Sequence, residues 1–305
     1  MKMLLCLLLL LSWRSWCLGG ETSALESRLA ALAEAHQGKV ALAVKNLETG
    51  ESYYRNADEI MPTASLIKIA VLIELYERAQ EGKLKLADRV TLRKADKVPG
   101  SGILTDHFSD GTEFSLRDAA RLMIAFSDNT ATNLVLERTG IKSVNKRMEE
   151  WGYPETKINA KVFRGSTTSV DPARTRRYGL GSTTAREMVG LMEQLQTGDR
   201  LRPYYKLAAL NHLRKNDDKY KFKRLLPESV VVMHKDGATN DTRTDAGLIH
   251  TPTGIVAVCV LTTNNKDQRW VSENAGNMLC AHVAKEVYDY FSERKKVSDA
   301  SQKRR

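Results

Sequence analysis

The chain has no zinc-spaced cluster of Cys and His, no glycine-rich phosphate loop and no interleaving of aromatic with basic residues. Metal, nucleotide and nucleic-acid chemistry are therefore without support, and no cofactor is expected. Cysteine is scarce, with four residues in 305. Two of them, Cys6 and Cys17, lie in an N-terminal stretch with basic Lys2, an apolar run from Met3 to Leu11 and small residues at Leu18-Gly19-Gly20. That layout is a secretory leader, too short for a permanent membrane span, and predicts cleavage near residue 20 and export to periplasm or medium. Cys259 and Cys280 then remain, so one disulfide is the maximum, and a pair of buried free thiols is an equal reading.

What the chain does have is an ordinary soluble composition, 42% hydrophobic and 28% charged, enough for a sizeable core. The net charge of +10 falls to +8 without Lys2 and Arg14, and about half of that excess sits in the tail from Glu293 to Arg305. Such a tail reads first as a solvated terminus.

Helical spacing over Glu21–His36 is followed by two strand candidates, Val40–Val44 and Ser52–Tyr54, joined by a turn. From Ser65 to Gln196 the periodicity is helical, and a further helical stretch covers Leu207–Leu213. Three strand candidates follow, Ser229–His234, Arg243–His250 and Gly254–Thr262, before a closing helix over Ser272–Phe291. The layout predicts an α/β (α+β) fold: an antiparallel sheet built from both ends of the chain, flanked by helices, with an all-helical domain inserted. The expected boundaries are a signal peptide over 1–20, an α/β domain over 21–62 and 206–291, an all-helical domain over 63–205, and a basic tail over 292–305. A site is expected at the domain seam.

Three short motifs stand in order: Ser65-Leu66-Ile67-Lys68, Ser127-Asp128-Asn129 and His234-Lys235-Asp236-Gly237. Alone, Ser-x-x-Lys is ordinarily a helix start with a surface lysine, and Ser-Asp-Asn between two helices is a good N-cap. Here Ser65 opens an apolar helix, so its hydroxyl and the Lys68 amine lie one turn apart on one face. A serine needs a base within hydrogen-bond reach to become a nucleophile, and a lysine serves only when neutral, which burial or a second cation such as Lys235 promotes. Nothing pairs a histidine with Ser65, so a Ser-His-Asp triad is unsupported.

The order and spacing of these motifs resemble the serine-lysine set of class A β-lactamases and penicillin-binding proteins. The likeness extends to Ser127–Leu134 (SDNTATNL), to Gly181–Ala185 at a helix entry and to a closing helix over Gly276–Tyr288, and so covers essentially the whole mature chain. The resemblance implies Ser65 as the acylated nucleophile, Lys68 as proton acceptor and Ser127 as proton relay to the departing nitrogen. It also implies Lys235 as the ligand of a substrate carboxylate and Asn129 as that of a substrate amide. The backbone N–H groups of Ser65 and of Ala238, just past Gly237, would form the oxyanion hole. The implied partner is a small molecule, a β-lactam or a D-alanyl peptide, and the chain is expected to be a monomer.

Two departures qualify this. Relatives in the class carry a loop glutamate that activates the deacylating water, whereas Thr156–Arg186 contains no Glu. Spacing puts Val162 or Phe163 at that point, and Asp171 is the single acid available as a substitute, with a turn or an ion pair as its other reading. Asp236 stands where a hydroxyl residue normally helps hold a substrate carboxylate, and it needs Lys235 or Arg243 to neutralise it. At the pocket mouth, Ile103 or Leu104 is expected as an apolar gatekeeper, or else as core under a turn. Three readings follow: a β-lactam-opening hydrolase, a D-alanyl peptidase or related acyl-transferase, and a non-catalytic binding or sensor domain.

Overall fold

The computed structural model describes residues 24–302, with side chains described as far as Arg294. The expected leader, with Cys6 and Cys17, lies outside the described residues, as do the side chains of most of the basic tail.

Helix α1 (Ala24–Ala35) leads into β1 (Lys39–Asn46) and β2 (Ser52–Arg55), and the chain returns much later as β3 (Val232–Ala238), β4 (Arg243–Thr251) and β5 (Gly254–Thr263). These five strands form one antiparallel sheet in the order β2-β1-β5-β4-β3, with Leu42 opposite Val260 and Lys235 opposite Ala246. Both termini thus contribute to one sheet.

Side chains alternate across it. Ala41, Ala43, Ala246, Ala257, Cys259 and Leu261 face the helical block, while Val40, Leu42, Val44, Val256, Val258 and Val260 face α1 and the closing helix. Covered on both faces, the central strands read as unbroken apolar runs and not as polar-apolar alternation. The small residues on the inner face let helices approach closely.

Between β2 and β3 run α2 (Lys68–Gln80), α3 (Leu116–Ala125), α4 (Asn129–Thr139), α5 (Ile141–Glu150), α6 (Ala185–Gln196) and α7 (Pro203–Arg214); α8 (Ala275–Gln302) closes the chain. Helix α2 is buried on every side from Lys68 to Glu77, the mark of a central core helix. The middle segment departs from the all-helical expectation in two respects. Short strands at Met61–Pro62, Lys157–Ile158 and Gly181–Thr183 pair with one another, as do Arg89–Thr91 and Glu113–Ser115. Strands of two or three residues are too short to leave a period-2 signature. Helix α6 also packs on the inner face of the sheet, so one apolar cluster runs unbroken from the sheet into the helical block.

Cys259 and Cys280 are free and buried, in different apolar clusters on opposite faces of the sheet, which leaves the thiol reading standing. Among the described residues no helix is long and apolar enough to cross a membrane.

The helical block is cross-tied by a buried ionic group. Glu74 of α2, 1% exposed, accepts from Arg147 of α5 at 2.9 Å and from the Ser143 hydroxyl at 2.5 Å, while Arg147 also reaches Glu77 and Glu81. Removing one partner strands a buried charge. Arg147→Met is expected to lower the unfolding free energy by about 3–5 kcal/mol in urea titrations, with much of the loss recovered when Glu74 is also replaced by Met.

Candidate active site

Ser65 does not open a regular α-helix. It lies in a 3-10 turn, Ala64–Ile67, that feeds into α2 at Lys68. Side chains three apart eclipse in such a turn, which sets Ser65 and Lys68 on one face more directly than an α-helix does. Ala64 has φ +47°, a conformation that costs a residue with a Cβ and marks a constrained turn. The turn is held from two sides: Thr63 N–H donates to the Gly181 carbonyl at 3.0 Å, and the Thr244 hydroxyl of β4 donates to the Thr63 carbonyl at 2.9 Å.

Lys68 is fully buried and makes no ion pair among the described residues. Its Nζ donates to the Ser127 carbonyl at 2.6 Å, to Asn129 Oδ1 at 3.0 Å and to Ser127 Oγ at 3.2 Å. Burial, and secondarily the charge of Lys235, hold the amine well below the ordinary lysine range. An amine so shifted, bonded to the Ser127 hydroxyl and one turn on from Ser65, is suited to accept and pass on a proton.

The segment between α3 and α4 presents Ser127 through a left-handed backbone, φ +52°, which turns its carbonyl inward to Lys68. Asp128 is indeed an N-cap: its carboxylate accepts from Ala131 N at 2.8 Å, and from Ile103 N and Leu104 N at 2.7 and 2.9 Å. Capping and site-building therefore coexist in one motif. The same bonds bury Leu104 as core and leave Ile103 off the cleft wall, so neither is the gatekeeper. Asn129 spans Lys68 and the Pro99 carbonyl, at 3.1 Å from its Nδ2.

On β3, Lys235 is fully buried and donates to both the carbonyl and Oδ1 of Asp236 at 2.7 Å. Asp236 is neutralised from its other side by Lys221, 3.2 Å from Oδ2, and Lys221 also pairs with Asp218 at 3.0 Å. The two lysines favour the ionised form of Asp236 and hold its pKa well below the usual carboxylate range, against the opposing effect of burial. The expected help from Arg243 does not come. Its guanidinium donates to the carbonyls of Thr239, Asn240, Thr242 and Arg269 and lies over the Trp270 ring, 4.9 Å from the centroid. Lys221 was not legible as a site residue, because no motif connects a lysine in the 216–222 segment to a strand. His234 points to the other face, where it meets Asp245 at 2.9 Å beneath Phe222.

Gly237 passes so close to the nucleophile turn that a Cβ would stand 2.6 Å from the Thr63 carbonyl and 2.9 Å from Ser65 N. Ser65, Ser127, Asn129, Asp236 and Ala238 all line one cleft of about 900 Å³. The structure thus brings the three motifs together, with Arg243 opposite Ala238 on β4.

The opposite wall comes from the loop after the central helices. Val162 is fixed by two bonds with the Asn133 amide, and Phe163, 65% exposed, reaches over Gly100 at the mouth. Tyr220 and Trp270 are the other exposed aromatics on the rim. No carboxylate of this loop lines the cleft. Asp171 caps the short helix Pro172–Tyr178 through Arg174 N at 2.9 Å, the turn role and not that of a replacement base. The flanking acids are also committed: Glu155 pairs with Arg174 at 3.1 Å, and Glu187 accepts from Thr156 at 2.7 Å.

A mixed fold with an antiparallel sheet, and a serine and a buried lysine at its seam, define a serine β-lactamase-like hydrolase. The sequence model described as the β-lactamase enzyme family matches residues 24–291, and the chain belongs to that family. A β-lactamase of Streptomyces cellulosae is 29% identical over 246 residues, 77% of this chain and 75% of that one. The crystal structure of a β-lactamase from Sphaerobacter thermophilus superposes with a TM-score of 0.76 at 29% identity, over 88% of this chain and 97% of that one. That of PBP-A superposes with the same TM-score at 26% identity, over 89% and 97%. A variant of PBP-A in an acyl-enzyme complex with penicillin G matches at 0.75 and 25%, over 88% and 96%.

Gly237→Ala tests the close approach of strand and nucleophile. The added methyl is expected to cost about 1–3 kcal/mol of stability and to slow covalent labelling of Ser65 by penicillin G roughly a hundredfold through displacement of the turn. Intact-mass time courses and thermal melts measure the two effects separately.

Proposed function

We propose that this protein is an exported hydrolase that opens β-lactams through an acyl-Ser65 intermediate and releases the acyl group slowly. The observation that carries the first half is Lys68, fully buried, with no carboxylate partner and bonded to Ser127 and Asn129. Ser65 Oγ attacks the lactam carbonyl carbon and its proton passes to Lys68 Nζ. The carbonyl oxygen gains negative charge between the N–H groups of Ser65 and Ala238. The C–N bond then breaks, and the nitrogen takes a proton through the Ser127 hydroxyl, which Lys68 replenishes. Lys68 is left neutral, Ser65 esterified.

The second half rests on the opposite wall. Deacylation needs a water whose proton is removed as it attacks, and Val162 and Phe163 offer no acceptor. Lys68 is then the base for both steps, and it is held by three bonds on the acylation side. Slow release is the behaviour of a penicillin-binding protein, so a D-alanyl peptidase or acyl-transferase acting on cell-wall peptides is the second reading. The apolar wall and Asp236 both favour it over efficient lactam hydrolysis. The leader-like pattern over residues 1–20 supports a periplasmic or extracellular setting for this chemistry.

A chromogenic cephalosporin is expected to give a burst of about one equivalent followed by slow turnover, with a stable adduct on Ser65 by intact mass. Ser65→Ala abolishes both. Steady turnover without a burst refutes slow release, and absence of any adduct refutes the acyl-enzyme.

Val162→Glu places a carboxylate on the wall that lacks one. It is expected to accelerate the post-burst phase by roughly 10²-fold or more while leaving the burst amplitude near one equivalent. Unchanged decay of the adduct counts against the apolar wall as the cause of slow release.

The acylation rate is expected to rise with pH through the depressed titration of Lys68, because the protonated amine cannot accept the serine proton. Lys235→Gln removes a cation that lowers Lys68, so the limb moves to higher pH. Lys68→Ala lowers acylation by about 10²–10⁴-fold. Stopped-flow acylation across pH 5–10, taken as roughly the span of a displaced lysine, checks the direction.

A further inference from the structure

In this cleft the charge presented to a substrate beside Ser65 is that of Asp236, not that of Lys235. Lys235 is fully buried and spends two donors on the carbonyl and Oδ1 of Asp236, whereas Asp236 itself lines the cleft with 16% of its side chain exposed. Asn216 Nδ2 adds a bond to Oδ1 at 3.1 Å and Lys221 Nζ one to Oδ2 at 3.2 Å. A carboxylate has about four acceptor sites. Three are taken, and the fourth, on Oδ2, accepts only a donor.

Among the described residues lining the cleft no positive charge is spare; Lys223, whose charge also acts on Asp236, does not line it and donates to the Asn216 carbonyl. Lys221 sits between Asp218 and Asp236, so Lys235, Lys221, Asp236 and Asp218 form a neutral quartet. Among the described residues, the other cations lining the cleft are committed elsewhere. Lys161 pairs with Glu137 at 3.0 Å, and Arg243, 2% exposed, is turned to backbone carbonyls beneath Trp270. A carboxylate brought to this point meets a like charge at short range and loses its hydration without an ammonium in return. A carboxamide N–H meets an ionised acceptor, a charge-assisted bond.

We propose that this cleft selects acyl donors whose group beside the scissile amide is a carboxamide, such as an amidated end or the next peptide bond of a longer chain, and discriminates against a free carboxylate there. The inference rests on the acyl-Ser65 reading and names the substrate class of that same site. Asp236 is its specificity-determining residue.

Penicillin G and its primary carboxamide differ only at this group. Second-order rates of adduct formation on Ser65, followed by intact mass, are expected to favour the carboxamide by about tenfold or more in the wild-type protein. The preference is expected to collapse or reverse in Asp236→Asn and in Asp236→Thr. Because both compounds are compared on one sample, a variant that is partly unfolded still yields a valid ratio, and the wild-type ratio decides alone if neither variant folds. A wild-type rate equal or higher for the free acid, or a ratio that neither substitution moves, overturns the inference while leaving the acyl-enzyme in place. No adduct from either compound on folded protein overturns the acyl-enzyme reading and this inference with it.

Discussion

An ammonium group enclosed without a counter-ion is the constraint around which this site is organised. Lys68 has three hydrogen-bond acceptors but no carboxylate partner. Desolvating a charge costs several kcal/mol even in real proteins, and burial here holds the Lys68 amine well below the ordinary lysine range. Everything close to Lys68 serves that enclosure. The 3-10 turn brings it beside Ser65, the left-handed Ser127 supplies a carbonyl, Asn129 supplies an amide oxygen, and buried Lys235 adds a like charge. A carboxylate salt-bridged to Lys68 would stabilise the charged form and remove the base. The nearest acids are placed to avoid this, with Asp128 spent on three backbone N–H groups and Asp236 on two other lysines.

The sheet makes the enclosure rigid. Its inner face is lined with alanine where helices lie against it, and β3 passes the nucleophile turn at Gly237 too closely to admit a Cβ. Gly237 gives that distance and the Thr244 hydroxyl ties it to Thr63. Since the strands come from both ends of the chain and the helices from the middle, the seam is closed only when the last third of the sequence has folded onto the first. One apolar cluster runs from the inner face of the sheet into the helical block that carries the site.

Much of this was legible from residue patterns. The order helix, two strands, helical block, three strands, helix follows from periodicity, and the three motifs were readable because nucleophile, base and second cation occupy short runs on element ends. What escaped reading has physical reasons. Strands such as Gly181–Thr183 are shorter than one alternation. The start of β3 lies a few residues past the expected Ser229, because a strand buried on both faces has no polar stop signal. Lys221 as partner of Asp236, and Phe163 in place of Ile103 at the mouth, are contacts between segments distant in sequence. Leu104 was readable as either core or gatekeeper, and only the Asp128 bonds decide it. Arg243, read as a charge for Asp236, is consumed by the carbonyls of its own hairpin.

The two departures from the family pattern have a common consequence. The wall opposite Ser65 has lost a carboxylate and the strand beside it has gained one, so the acidic group has in effect changed sides. On the loop it would serve an incoming water; on β3 it is bonded by Lys235 and Lys221 and, on the proposed reading, faces a substrate donor. A cleft so arranged is polar where the acyl donor is gripped and apolar where hydrolytic water must enter, with Val162 and Phe163 on that side. On the proposed reading, differential stabilisation falls on forming the acyl-enzyme and not on its hydrolysis. The geometry thus ties the choice of substrate on one wall to the fate of the intermediate on the other.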